Sequence, residues 1–383
     1  MTVIENPADR QPIASREILS DGPSLHGTYR NTRFFASLDG LRCLSILAVI
    51  WHHTGVHVDE ITITQQGHLG VDLFFAISGF LITTLLLREH AETGRISLQA
   101  FYIRRTLRIF PLYYAVIIIY IIAVGTLERS SPAGGEFFDN LPFFVTFTSN
   151  WFVELDGRVI FYFAWSLATE EQFYLIWPTV EKMLRGWRVL VLLLSVLIVR
   201  EFAELALAHG WVPADHFAVV VALSVHPAIL GGVALAHILH NKRTFNVVWL
   251  TLGRWWSTPL MLTALVMALE WALPLGCIWT LMVLLVGSVA IRESNGLAPL
   301  LTWRPIAHIG TVSYGMYLMH MLTFNAVRRI LPATGLDDPW VFFPATVAAT
   351  TVAATISYRY YESRFLRLKG RFKRTSAPVL TGA

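Results

Sequence analysis

Two ionisable residues, Arg42 and His53, interrupt the first long apolar segment of the sequence. They are eleven residues apart, about three turns of an α-helix, so their side chains lie within about 20° of one face and about 16 Å apart along the axis. Inside a bilayer a charged side chain costs about 2.5–3.5 kcal/mol, which makes such residues candidates for a functional site. The alternative is that Arg42 anchors the helix at the membrane interface and His53 is a hydrogen-bonded core residue.

Asp72 opens the second apolar segment, in the run Gly-Val-Asp-Leu-Phe-Phe-Ala-Ile-Ser-Gly-Phe at 70–80. If the chain returns through the membrane there, Asp72 lies at the depth of His53. A carboxylate that accepts a hydrogen bond from one imidazole nitrogen fixes the tautomer and raises the basicity of the other nitrogen. Such a pair would deprotonate an acceptor hydroxyl. Asp72 could equally be a helix N-terminal residue favoured by the dipole, and Ser78-Gly79 a small-residue packing notch.

Arg105 and Arg108 precede most of the third apolar segment and, being three residues apart, share one face of a helix. Guanidinium groups bind phosphate oxygens through paired hydrogen bonds. The candidate anions on the cytoplasmic side are acyl-CoA, nucleotides and lipid headgroups. A cluster of this kind also serves as a topology signal or as a contact with membrane lipids.

Two further segments carry polar residues where a site could form. Glu170 and Glu171 follow Trp165 at the start of the fourth segment, where carboxylates could bind an acceptor and aromatic rings could stack on sugars. The ninth segment repeats polar residues every three or four positions, which would line a polar cavity: Ser313, Tyr314, Tyr317 and His320. Helix capping and interhelical hydrogen bonding are the respective alternatives.

The composition indicates which elements hold these residues. The 383 residues are 55% hydrophobic and 15% charged, with a mean hydropathy of +0.54, whereas soluble proteins carry about 25% charged residues. This deficit runs along the whole chain and predicts a membrane protein. The formal net charge of +4 is spread between apolar segments, which argues against nucleic-acid binding. The two cysteines, Cys43 and Cys277, allow neither a disulfide framework nor a cysteine-based zinc site, and we expect no metal.

Ten segments are long enough, at about 20 residues, to cross a bilayer as helices. They predict an all-α, polytopic transmembrane helix bundle with spans at 37–57, 69–88, 106–126, 164–183, 187–207, 216–238, 256–271, 274–291, 309–331 and 338–360. The seventh and eighth could instead form a re-entrant pair. With both termini in the cytoplasm, most of the 30 Lys and Arg residues fall on the cytoplasmic side, as the positive-inside rule requires. We interpret residues 34–366 as the membrane domain, 1–33 as a polar cytoplasmic tail and 367–383 as a basic one.

The order of these motifs resembles that of the acyltransferase-3 family of integral-membrane O-acyltransferases. The resemblance begins with Leu-Asp-Gly-Leu-Arg at 38–42, then His53 and the Gly-Val-Asp segment at 70–80. It continues with Arg105-x-x-Arg108, Trp-Ser-Leu-x-x-Glu at 165–170, Ser-Tyr-x-x-Tyr-x-x-His at 313–320 and Tyr-Glu-x-Arg at 361–364. It covers about residues 34–366 and is similar to members that consist of the membrane domain alone.

The resemblance implies ten membrane helices and transfer of an acyl group, usually acetyl, from cytoplasmic acyl-CoA to a hydroxyl. The acceptor would be a carbohydrate of a cell-surface or exported polysaccharide or glycolipid, or else a macrolide-type metabolite. His53 would be the essential histidine, with Arg42 as its partner toward the CoA. Arg105, Arg108 and Ser78 would bind the acyl-CoA. The remaining matched residues would support the base or the acceptor: Asp72, Glu170, Trp165, Tyr317 and His320.

The leading hypothesis is therefore an O-acyltransferase of the cytoplasmic (inner) membrane with His53 as general base, acting by direct transfer rather than through an acyl-histidine. The rival from another class is a transporter or flippase of acyl-CoA or lipid-linked sugar, which would use the same buried charges as a pathway. We see no paired discontinuous helices related by a repeat, the usual sign of a secondary transporter. The sequence specifies no oligomeric state.

Overall fold

The computed structural model describes residues 24–368 except 33, 56, 57, 156, 157, 185 and 333–337. In this part of the chain every regular element is helical, which confirms the predicted all-α class. The α-helices in chain order are α1 (Leu25–Asn31), α2 (Ala36–Thr54), α3 (Gly70–Thr93), α4 (Leu98–Leu127), α5 (Pro132–Val145), α6 (Ser149–Phe152), α7 (Ala164–Met183), α8 (Trp187–Ala208), α9 (Phe217–Ser224), α10 (Pro227–His240), α11 (Lys242–Leu252), α12 (Ser257–Glu270), α13 (Leu275–Ile291), α14 (Ala298–Leu301), α15 (Arg304–Ile330), α16 (Pro339–Ser357) and α17 (Ser363–Leu368).

Each predicted span coincides with a long helix or with a helix pair. The fourth, predicted at 164–183, has those bounds in α7. The sixth is broken into α9 and α10. Pro227 has no backbone N–H, so it cannot donate the hydrogen bond that would continue α9, and it begins α10 instead. The third begins eight residues earlier than predicted, at Leu98, where the Ser97 hydroxyl accepts a hydrogen bond from the N–H of Ala100. Arg105 and Arg108 therefore lie on an established helix.

The structure supports a membrane protein but does not confirm the predicted count of ten spans. Among the described residues, three helical stretches are long and apolar enough to cross a membrane by themselves: Gly67–Thr93, Leu98–Leu127 and Trp340–Leu368. Two more qualify as bent pairs, α1 with α2 at 63° and α9 with α10 at 46°. The remaining long helices are shorter or more polar, so the number ten stays a prediction.

The predicted tails are only partly described. Residues 1–23 and 369–383, where most of both tails lies, are outside the described part of the chain. Of the rest, residues 25–31 form α1, whose His26 Nε2 lies 2.9 Å from the carbonyl oxygen of His240. The segment predicted as a polar cytoplasmic tail thus includes a short helix packed against the bundle.

Glycines bring two pairs of helices into backbone contact in the core. A Cβ atom added to Gly79 of α3 would lie 2.1 Å from the carbonyl oxygen of Ile229 of α10, and one added to Gly232 would lie 2.2 Å from that of Ala76. A Cβ added to Gly310 of α15 would lie 1.8 Å from the carbonyl oxygen of a residue in α2. Only residues without a side chain permit such close approach. These contacts fix α3 against α10 and α2 against α15.

Candidate functional site

Three cavities at one end of the bundle, which we call the arginine end, are lined by the guanidinium groups of Arg42 and Arg108, and two of them also by that of Arg105. A cavity of about 930 Å³ lies between α1, α2, α3 and α4, and all three arginines line it. A smaller one of about 100 Å³ extends from the same arginines between α3, α4, α7 and α15. A third, of about 290 Å³, shares Arg42 and Arg108. The structure thus brings together the three arginines singled out in the sequence.

The three arginines differ in their partners. Arg42 Nη1 lies 3.0 Å from the Asp39 carboxylate, one turn earlier on the same helix. The Arg105 guanidinium packs over the ring of Tyr174, 4.2 Å from its centroid. Among the described residues, neither Arg105 nor Arg108 forms an ion pair with a carboxylate. Both side chains are half-buried and line cavities, so this geometry favours an anionic ligand that supplies negative charge there.

A hydrogen-bonded triangle of Ser78, Glu170 and Tyr174 lies in the wall of the small cavity. The Ser78 and Tyr174 hydroxyls both donate to Oε1 of Glu170, and the two hydroxyl oxygens are 3.0 Å apart. The sequence interpretation placed Ser78 with the acyl-CoA and Glu170 with the acceptor. The structure shows that the two side chains form one unit, close to Arg105.

Tyr317 lies between the small cavity and the opposite end of the bundle. Its hydroxyl lies 2.6 Å from the Ser166 hydroxyl and donates to the carbonyl oxygen of Phe163 at 3.1 Å. Both Ser166 and Tyr317 line the small cavity. Trp165, expected to support the acceptor, does not line it and packs against Phe75, with 6.1 Å between ring centroids.

His53, Tyr162 and His320 meet at the opposite end of the bundle, which we call the histidine end. The His53 ring stacks on that of His320 with centroids 5.0 Å apart and an interplanar angle of 28°. The Tyr162 hydroxyl lies 2.7 Å from Nδ1 of His53. His53 does not line the small cavity; Tyr317 and His320 separate it from that cavity, with their ring centroids 5.5 Å apart.

The tautomer of His320 follows from its hydrogen bond. Its Nδ1 lies 2.5 Å from the carbonyl oxygen of Tyr317, and a carbonyl only accepts, so Nδ1 carries the hydrogen. In the neutral ring, Nε2 is then an acceptor. That atom is buried, and it has no hydrogen-bond partner among the described residues.

The predicted contact between Asp72 and His53 is wrong. Asp72 accepts a hydrogen bond from Nε1 of Trp279 at 2.6 Å, and its other oxygen lies 3.3 Å from Nε2 of His226. The expectation that Asp72 lies at the depth of His53 is not met either. Gly70 packs against Ser45 and Ala48 of α2, more than one helical turn from His53, and the Asp72 carboxylate contacts α13 and the residue before α10 instead. Tyr162, His226 and Trp279 were missed, because one sequence gives no signal for which helices are neighbours.

No metal centre is apparent in the described part of the chain. Within residues 24–368 as delimited above, no three or more His, Cys, Asp or Glu side chains are placed to hold a metal ion together.

The protonation state of Tyr162 follows from its burial. Tyr162 lies outside the membrane-spanning helices, and burial raises its pKa to about 12. Tyr162 is therefore a neutral phenol at physiological pH.

Comparison with known proteins gives one family. A family model described as an acyltransferase domain matches residues 35–359. The peptidoglycan O-acetyltransferase OatA of Listeria monocytogenes is 28% identical over 368 residues, covering 88% of this chain and 56% of that protein. YrhL of Bacillus subtilis, named a putative peptidoglycan O-acetyltransferase, is 26% identical over 86% of this chain and 54% of that protein. The chain spans about half the length of these relatives. No solved structure matches.

Proposed function

The chain belongs to the acyltransferase family, and on that premise we propose that it is an integral-membrane O-acyltransferase that transfers an acetyl group from acetyl-CoA to a carbohydrate hydroxyl, with His53 as general base. The observation that carries the proposal is the position of Arg42. It lines the cavities of the arginine end together with Arg105 and Arg108, and it shares a helix with His53. One helix thus connects a site suited to an anion with an imidazole.

Acetyl-CoA fits the chemistry of the arginine end. Its phosphates would supply the negative charge that Arg105 and Arg108 lack, and guanidinium groups bind phosphate oxygens in paired hydrogen bonds. The large cavity, at about 930 Å³, lies within the range of about 300–1,000 Å³ that is usual for ligand sites. The narrower pantetheine arm would enter the small cavity beside Ser78 and Glu170.

The transfer requires the thioester to pass Tyr317 and approach the histidine end. His53 takes the proton of the acceptor hydroxyl while the hydroxyl oxygen attacks the thioester carbonyl. The carbon–sulfur bond then breaks, the ester remains on the acceptor, and the CoA sulfur leaves with the proton held by the imidazole. Nothing is oxidised or reduced, and the products are the acetylated acceptor and free CoA.

The orientation and the acceptor belong to the same proposal. The positive-inside rule favours a cytoplasmic arginine end and cytoplasmic termini in the inner membrane. The histidine end would then face the outer side, where a polysaccharide under construction is accessible. Because two relatives carry peptidoglycan in their names, a peptidoglycan-type glycan is the first acceptor to test.

The test uses the full chain purified in lipid nanodiscs, with radiolabelled acetyl-CoA and soluble peptidoglycan fragments. We expect labelled glycan from the native chain and a loss of about 10²- to 10⁴-fold in the His53→Ala variant, the usual worth of a general base. The matched control is His52→Ala, which removes the neighbouring imidazole about 100° away on the same helix. Acetylation retained in His53→Ala, with His52→Ala equally active, would remove His53 from this role.

A further inference from the structure

His53 has an unexpected hydrogen-bond partner. The Tyr162 hydroxyl lies 2.7 Å from Nδ1 and 3.3 Å from Nε2 of the ring, so the shorter contact is a normal hydrogen bond and the longer one is at the limit. The two rings meet edge to face, with centroids 5.6 Å apart. Tyr162 belongs to none of the motifs singled out in the sequence.

The backbone before Tyr162 is strained. Phe161 has a φ of 67°, a left-handed conformation that bulky residues rarely adopt and that persists only where the surroundings impose it. Its side chain is buried between Tyr120 and Phe163, with centroids 4.8 Å from each. The buried ring therefore holds the turn, and the turn directs Tyr162 toward α2.

The opposite face of His53 is closed by His320, stacked at 5.0 Å. His52 is the other titratable group against it, with ring centroids 5.0 Å apart. Among the described residues, Tyr162 is the hydrogen-bond partner of the His53 ring, and no carboxylate forms a hydrogen bond or ion pair with it. An imidazolium formed here would gain no countercharge from an adjacent acid.

We propose that Tyr162 is the positioning residue of His53, and that its hydroxyl accepts the Nδ1 hydrogen and leaves Nε2 free to take the proton of the acceptor. This inference rests on the proposed role of His53 as general base. Tyr162 occupies the position of the carboxylate in an Asp–His pair. It orients the imidazole ring and fixes its tautomer, but it carries no negative charge. The proton on the imidazolium is therefore held weakly and is readily returned to the leaving sulfur.

The test compares Tyr162→Phe with Tyr102→Phe in nanodiscs. Each variant loses one phenolic hydroxyl and keeps the ring. Tyr102 is the matched control because its hydroxyl donates to the carbonyl oxygen of Leu175 at 2.7 Å, away from His53. Two properties are measured: the pH profile of kcat with acetyl-CoA, and the rate at which diethyl pyrocarbonate modifies His53, followed by mass spectrometry of its peptide.

For Tyr162→Phe we expect kcat to fall about five- to tenfold, the usual worth of one hydrogen bond, with KM for acetyl-CoA unchanged. The acidic limb of the profile should move to lower pH, because the imidazolium has lost an acceptor. His53 should be modified several-fold faster, with His90 as the internal reference. Tyr102→Phe should match the native chain in every respect.

Two outcomes overturn the inference: unchanged modification of His53 in Tyr162→Phe, or faster modification with an unchanged pH profile and kcat. A structural role alone would lower the yield of folded protein and leave the profile in place. If the native chain transfers no acetyl group at all, the proposed function fails. The modification rates then still decide whether Tyr162 holds His53, so the two failures are distinguishable.

Discussion

The arginine end and the histidine end solve opposite electrostatic problems. At the arginine end, permanently charged groups line open cavities, and Arg105 and Arg108 have no carboxylate partner among the described residues. At the histidine end, neutral rings are held by each other and by the Tyr162 hydroxyl. The difference indicates what each end can bind. The arginine end can bind a ligand that brings negative charge, and the histidine end can accept a proton.

At the arginine end, the largest effect is expected from Arg108→Gln. We expect KM for acetyl-CoA to rise about ten- to hundredfold, because a hydrogen bond to a charged group is worth about 1.5–3 kcal/mol. Without ligand, thermal stability should not fall, since the half-buried Arg108 forms no ion pair with a carboxylate among the described residues. The measurements are steady-state kinetics and thermal unfolding with and without acetyl-CoA. The control is Arg158→Gln, whose guanidinium forms an exposed pair with Glu128.

An Arg108→Gln variant that kept its KM but unfolded at lower temperature would contradict the comparison. It would show that the arginine end is a structural charge cluster with internal partners. The role of Arg105 and Arg108 as a phosphate site would then have to be abandoned.

Asp72→Asn sharpens the comparison at the other end. Since Asp72 contacts Trp279 and His226 instead of His53, the change should lower the free energy of unfolding by about 1–3 kcal/mol. The pH profile of transfer should stay in place. Thermal unfolding and the profile are the two measurements. Asp338→Asn is the control, because its side chain caps the exposed start of α16 and an asparagine there caps equally well. A shifted profile in Asp72→Asn would restore the link to His53.

The smallest effect concerns the half-buried Glu128 and the exposed Arg158 at the histidine end, whose oxygen and nitrogen are 2.8 Å apart. The hydrogen bond from Arg158 lowers the pKa of Glu128 below its ordinary value. The pair therefore stabilises the fold above the ordinary carboxyl range, and this contribution is lost as the pH falls through the lowered pKa. We expect Glu128→Gln to cost about 0.2–1 kcal/mol at neutral pH and nothing in strong acid. If thermal unfolding showed the same loss of stability at both pH values, the expected direction of the pH dependence would be contradicted.

Features that repeat along a single helix were predictable from the sequence. The 3.6-residue period places Arg42 and His53 on one face, and it groups Ser313 with Tyr317, which line the small cavity together. Long apolar runs gave the helices of the bundle, including the bounds of α7. The roles assigned to these residues through the family resemblance stay predictions.

Features that depend on contacts between helices were not predictable. One charged residue fixes neither the position of α3 along α2 nor its rotation, so the partners of Asp72, Trp279 in α13 and His226 before α10, were missed. Helix α5 was overlooked because Glu136, Asp139 and Pro142 interrupt its apolar residues. Tyr162 lies in a turn held by the left-handed Phe161, and no periodic pattern reports such a conformation.

The glycine contacts between α3 and α10 determine which helices around the cavities can move. Gly79 and Gly232 each bring a backbone against the other helix, so these two helices cannot slide without a collision of main-chain atoms. The facing walls, α4, α7 and α15, meet through side chains, as where Tyr314 donates to the carbonyl oxygen of Ile109. A change of side-chain rotamer costs far less free energy than the separation of two backbones in contact. A ligand that enters the small cavity would therefore be accommodated by side-chain movements in α4, α7 and α15, while α3 stays in place against α10.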